Sequence, residues 1–77
     1  MTIANTSHEV GELVVGGDWA CAHGDFSTLH FIGERLAEHA PNGLKTKLLA
    51  FAQSCLKNPD RAATEWASLR TRCFNPH

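Results

Sequence analysis

Cys21, His23 and Asp25 stand at alternate positions in the stretch Trp19-Ala20-Cys21-Ala22-His23-Gly24-Asp25-Phe26, and His30 follows shortly after. Thiol, imidazole and carboxylate are the groups that hold zinc or run nucleophilic catalysis. In a strand, Cys21 and His23 would point to the same face. A zinc site needs such ligands to converge tetrahedrally. The spacing signatures of one, Cys-x-x-Cys and His-x-x-x-His, do not occur here, and Cys55 and Cys73 fall on the inner stripes of separate helices. A Cys21–His23 nucleophile pair would need an electropositive, reachable thiolate and a third group, such as Asp25, to orient the base. A 77-residue chain has little room for a substrate pocket of the usual ~300–1,000 Å³. The plainer reading makes Cys21 a small buried hydrophobe, sets His23 at the mouth of a strand and lets Asp25 cap a helix. No catalytic, cofactor or metal residue is assigned on this reading, and a Cys21/His23 metal or thiol site stands as an alternative. Gly16-Gly17 matches neither phosphate-binding fingerprint.

These residues need elements to position them. Val10-Gly11-Glu12-Leu13-Val14-Val15 reads as a strand, Gly16-Gly17-Asp18 as a turn, and Trp19 to His23 as the partner strand. A three-residue loop gathers Leu13, Val15, Trp19 and Cys21 on one face, which a two-residue loop does not, and hydrophobic pattern decides register. Helical stripes follow. Over 26–40 they are Leu29, Ile32, Gly33, Leu36 and Ala40, with Asp25 or Ser27 as cap. Gly33 inside that stripe marks close approach of another backbone, because glycine otherwise costs ~1 kcal/mol there. Over 43–57 the stripe is Leu44, Leu48, Phe51, Ala52 and Cys55, widened by Leu49 and Leu56 toward a second neighbour. Asn58-Pro59-Asp60 opens a third helix over 59–73, with Ala62, Trp66, Leu69 and Cys73 inward.

The expected fold is therefore α+β, a single domain spanning 1–77. An N-terminal two-stranded antiparallel β-hairpin, about 10–23, packs its Leu13, Val15, Trp19, Cys21 face on a three-helix bundle. Residues 1–8 and 75–77 are expected to be flexible.

The formal net charge of −1 argues against coating nucleic acid. It hides a division. Residues 1–43 carry Glu9, Glu12, Asp18, Asp25, Glu34 and Glu38 against Arg35, and residues 44–77 carry six bases against Asp60 and Glu65. The expectation is that the halves pack together and neutralise each other. Three helices with tight turns allow a DNA-binding regulator in which the third helix reads with Arg61, Arg70 and Arg72. That set is scattered, as on an ordinary solvated face. Three widely spaced cysteines, no basic n-region and no long apolar run point to a cytoplasmic protein rather than a secreted or membrane one.

Phe31 lies nearly opposite its helix's inner stripe, among Glu34, Arg35 and Glu38. The hairpin covers it, or it is a tolerated exposed aromatic, or it anchors a partner. Arg70 either lays its stem over Trp66 or pairs with an acid of the N-terminal half such as Glu34 or Glu38, tying the two halves together.

The run from Trp19 to Phe26, with Leu36-Ala37-Glu38-His39, Cys55 and Trp66 downstream, resembles a group of short bacterial proteins that share a W-x-C-x-H-G-D stretch followed by helices. The resemblance covers about residues 13–70. It implies a small cytoplasmic protein and transfers no functional residue. By exclusion, the expected function is non-enzymatic: an accessory or regulatory protein that takes no cofactor and binds another protein, its oligomeric state left open by the sequence with a monomer favoured. Phe31, Glu34, Arg35 and Glu38 are the candidate partner-binding residues.

Overall fold

His8–His23 forms one helix, α1, where the sequence pattern placed a hairpin. The structure, a computed structural model, describes residues 8–73. The expectations for 1–7 and 75–77 lie outside those residues, while His8, expected to be loose, begins α1. Three further helices follow: α2 (Phe26–Glu38), α3 (Asn42–Lys57) and α4 (Pro59–Cys73). No strand occurs among the described residues. The α+β expectation, with its β-hairpin on a three-helix bundle, is thus corrected: the described residues form an all-helical fold of four helices.

The physical reason lies in the period of α1. Val10, Val14, Gly17 and Ala20 are buried, with Leu13 and Cys21 packed beside them. That is helical spacing. The four residues meant to share a strand face are split by it: Leu13 and Cys21 turn in, while Val15 is 67% exposed and Trp19 51%. Two mid-helix glycines, each costing about 1 kcal/mol relative to alanine, conceal the pattern. Both stand at close approaches. A Cβ on Gly16 would lie 3.2 Å from Ile32 Cδ1 of α2, and one on Gly17 would overlap the Trp66 indole of α4. Tertiary packing overrides local propensity at this point.

The corner after α1 comes from Gly24. Its φ of +66° is the left-handed conformation that glycine adopts without penalty. Asp25 N–H donates to Ala20 O at 2.9 Å and Gly24 N–H to Cys21 O at 3.3 Å, which closes the helix by a Schellman motif. Asp25 then caps α2, as expected: one carboxylate oxygen accepts Thr28 N–H at 3.2 Å and the other Thr28 Oγ1–H at 2.8 Å. Asn58 alone separates α3 from α4, its N–H on Ser54 O at 2.7 Å.

α2 packs on α1 and α3, and α4 on α3 and α1, so the helices form a ring. Inside it Leu29, Leu36, Leu44, Leu48 and Cys55 are fully buried, and Phe51 and Trp66 fill the space between them, ring centroids 5.9 Å apart. Burial of each large side chain contributes roughly 1.5–3 kcal/mol. The stripe expected for α3 is buried, and that for α2 is buried except at Ala40, which lies beyond the end of α2 and is half-buried, while Ala37 is buried instead. A Cβ on Gly33 would meet Phe51 Cδ2 at 3.1 Å and Ala52 Cβ at 3.2 Å, so the close approach expected of a backbone is made by side chains of α3. Leu49 and Leu56, expected to widen the buried arc, remain 43% and 58% exposed.

Candidate docking face

The residues with the richest chemistry are consumed by the corner that ends α1. His23 Nδ1–H donates to Trp19 O at 2.9 Å, one helical turn back, and its ring stacks on Trp19 with centroids 4.3 Å apart and planes inclined by 22°. Both carboxylate oxygens of Asp25 are directed at Thr28, so it does not orient His23. Cys21 is half-buried. Burial, and then the charge of Asp18, pushes its thiol above the ordinary range. A nucleophilic cysteine needs the opposite environment. Cys55 is buried, and desolvation first, with Cys21 and Glu65 adding to it, pushes its thiol up to about 11. His30 is tied across helices, its Nδ1–H donating to Ala52 O at 2.7 Å while Nε2 lies 3.5 Å from Glu34 Oε1. Among the described residues no group of three or more His, Cys, Asp and Glu is placed to hold one metal ion.

Gly16-Gly17-Asp18, expected to be a turn, is instead where α4 docks on α1. Gly17 leaves space for the Trp66 indole. Beside it, Asp18 Oδ1 accepts Trp66 Nε1–H at 2.8 Å, and its carboxylate accepts Arg70 Nε–H at 3.2–3.3 Å. Arg70 therefore pairs with an acid of the N-terminal half, but with Asp18 rather than Glu34 or Glu38. Arg61 and Arg72, the other bases of the DNA-reading alternative, are exposed on α4.

The charge division survives folding. Arg35 donates to Glu9 at 2.6 Å and lies 4.0 Å from Glu38, and His39 Nε2 lies 3.4 Å from Glu9. These contacts stay within the acidic half. Asp18–Arg70 bridges the two halves, yet Lys45, Lys47, Lys57, Arg61 and Arg72 remain exposed, with no ion pair among the described residues. In the ring, α1 and α2 make an acidic side and α3 and α4 a basic one. The expected mutual neutralisation is corrected accordingly.

The acidic side carries the largest exposed apolar groups. α1 and α2 run antiparallel, because Glu9 near the start of α1 meets Arg35 and His39 at the end of α2. Gly16 meets Ile32 across the seam. One residue further along each helix, Gly17 and Gly33 turn inward, toward Trp66 and toward Phe51 and Ala52. One residue back, Val15 and Phe31 turn outward. Successive residues are about 100° apart, and in an antiparallel pair equal rotations from the seam lead to the same side. Val15, 67% exposed, and Phe31, 63% exposed, therefore face out together, and Trp19, one turn from Val15, continues the stripe.

Phe31, Glu34, Arg35 and Glu38 are all exposed on α2; the sequence placed Phe31 opposite the buried stripe and left its exposure open. No hairpin covers Phe31. Val15 and Trp19 belong to the same face and were missed, because strand parity had turned them inward. A helical wheel over 8–23 that admitted glycine to its buried stripe would have found them. Apolar groups gathered on one face and rimmed by charge are one of the features that mark interaction surfaces. No family model, curated protein or solved structure matches the chain. No helix among the described residues is long and apolar enough to cross a membrane.

Proposed function

We propose that this protein is a small non-enzymatic accessory or regulatory protein of the cytoplasm, acting as a monomer that binds another protein through the outer side of α1 and α2. The single observation that supports the reading most is that Val15, Trp19 and Phe31 expose their side chains on one side of the α1–α2 seam. Burying large aromatics at the centre of an interface is the commonest source of binding energy. Two of the three, Trp19 and Phe31, are aromatics of that kind, left 51% and 63% exposed.

The test is a photo-crosslinking residue placed at position 31, compared with one at Ser68, which is exposed on α4. In extract from the native source, position 31 is expected to yield a discrete adduct that position 68 does not. The same adducts from both positions, or none from 31, would refute the reading.

A further inference from the structure

The geometry points to the class of partner: a basic amphipathic segment, helical when bound, that lays aliphatic or aromatic anchors over Val15, Trp19 and Phe31 and presents lysine or arginine to the acidic rim. This rests on the docking reading above and adds the chemistry of the occupant.

The rim decides the sign. Glu12 lies one turn before Val15 on α1, and Glu34 and Glu38 lie one and two turns after Phe31 on α2, all exposed. Arg35, between them, is engaged by Glu9. Glu9, Glu12, Glu34 and Glu38 against Arg35 leave three net negative charges around the patch. A second copy docked by the same face about a two-fold axis would set this rim against itself, and like charges juxtaposed at an interface are unfavourable. A basic segment meets complementary charge instead, which speeds encounter and fixes register. The apolar stripe on α1 has helical spacing, Val15 then Trp19, with Phe31 on the next helix, about 8–10 Å of interaxial distance away. A seam between two such helices suits an amphipathic helix laid along it.

The experiment uses the full chain, uniformly labelled with nitrogen-15, and two synthetic helical peptides. One carries leucine on one face and lysine on the other, and in its twin every lysine is glutamate. The lysine peptide is expected to shift the amide signals of Val15, Trp19, Phe31 and Glu34, and to bind about tenfold or more tightly than its twin, with affinity falling as salt rises. Phe31→Ala is expected to weaken it about tenfold. Glu34→Lys with Glu38→Lys, both at exposed positions, is expected to reverse the preference between the peptides, a result that a merely structural role for these residues would not give. If both peptides bind equally at these residues, the docking face stands and the basic partner is overturned. If shifts fall on α3 and α4, or nowhere, both readings fail. Concentration-dependent shifts of the same residues in free protein would assign the face to a second copy and overturn the proposal.

Discussion

Gly17→Ala and Gly11→Ala test the docking of α1 within one helix. In a helix interior, glycine to alanine ordinarily stabilises by about 0.5–1 kcal/mol, because the unfolded chain loses freedom. Gly11 is that ordinary case: it is exposed and a Cβ there meets nothing within 4 Å. Gly17 is not. Its Cβ would overlap Cζ2 and Cη2 of Trp66, and even the third-nearest ring atom, Cε2, would be 2.9 Å away. The indole has little freedom to yield, being 3% exposed, set beside Phe51 and bonded to Asp18. Overpacking of this kind costs about 1–3 kcal/mol, and a shifted indole loses a hydrogen bond of about 0.5–1.5 kcal/mol. Set against the propensity gain, the net effect is a loss of about 1–3 kcal/mol. For a domain of this size, 1 kcal/mol moves the Tm by about 4–8 °C. Thermal unfolding followed by circular dichroism at 222 nm should therefore show Gly11→Ala melting a few degrees higher and Gly17→Ala melting clearly lower. Equal stabilisation by both would mean that α1 does not dock on α4 as described.

Three other perturbations have expected outcomes. Asp18→Ala removes the acceptor that Trp66 and Arg70 share and should lower stability by about 1–2 kcal/mol in urea unfolding, whereas Asp60→Ala, at the exposed first turn of α4, should cost less. Gly24→Ala forces a side chain into a φ of +66° and should cost about 1–2 kcal/mol, while Ala50→Gly, a helix-interior change at an exposed site of α3, should cost about 1 kcal/mol. Cys55 keeps its proton in the folded state up to about 11, against an ordinary thiol value of 9.0. Its contribution is whole below pH 9 and declines as the pH climbs toward 11, because only the unfolded chain then ionises. The decline is at most about 2–3 kcal/mol; it should be absent from the stability of Cys55→Ala followed over the same pH range, and so appear in full in the difference between the parent and that variant.

The parts of the fold legible in the sequence were those where local chemistry and tertiary packing agree. Asp25 caps where its oxygens can reach Thr28, Pro59 begins a helix where its missing N–H does no harm, and Leu29, Leu36, Leu44 and Leu48 repeat at the spacing that buries them. Residues 8–23 were illegible because the two levels conflict. Three valines favour a strand, and Gly16-Gly17-Asp18 has the composition of a turn. The features that make it a helix, an Ile32 side chain beside Gly16 and a Trp66 ring over Gly17, come from 16 and 49 residues away in the chain. The same misreading hid the α1 part of the proposed docking face: Phe31 was visible as an aromatic opposite its stripe, while Val15 and Trp19 were assigned to an interior they do not reach.

The two tryptophans give the most direct measurement of the claim that α1 is a helix with its aromatic stripe in water. Each contributes one indole N–H signal, and their exchange with solvent can be read separately by nitrogen-15 NMR. Trp19, 51% exposed, should exchange rapidly, and Trp66, buried and donating to Asp18, should be protected until the domain unfolds. A protected Trp19 indole would contradict the account, since it would place that ring against the core and remove the face on which the proposed function stands.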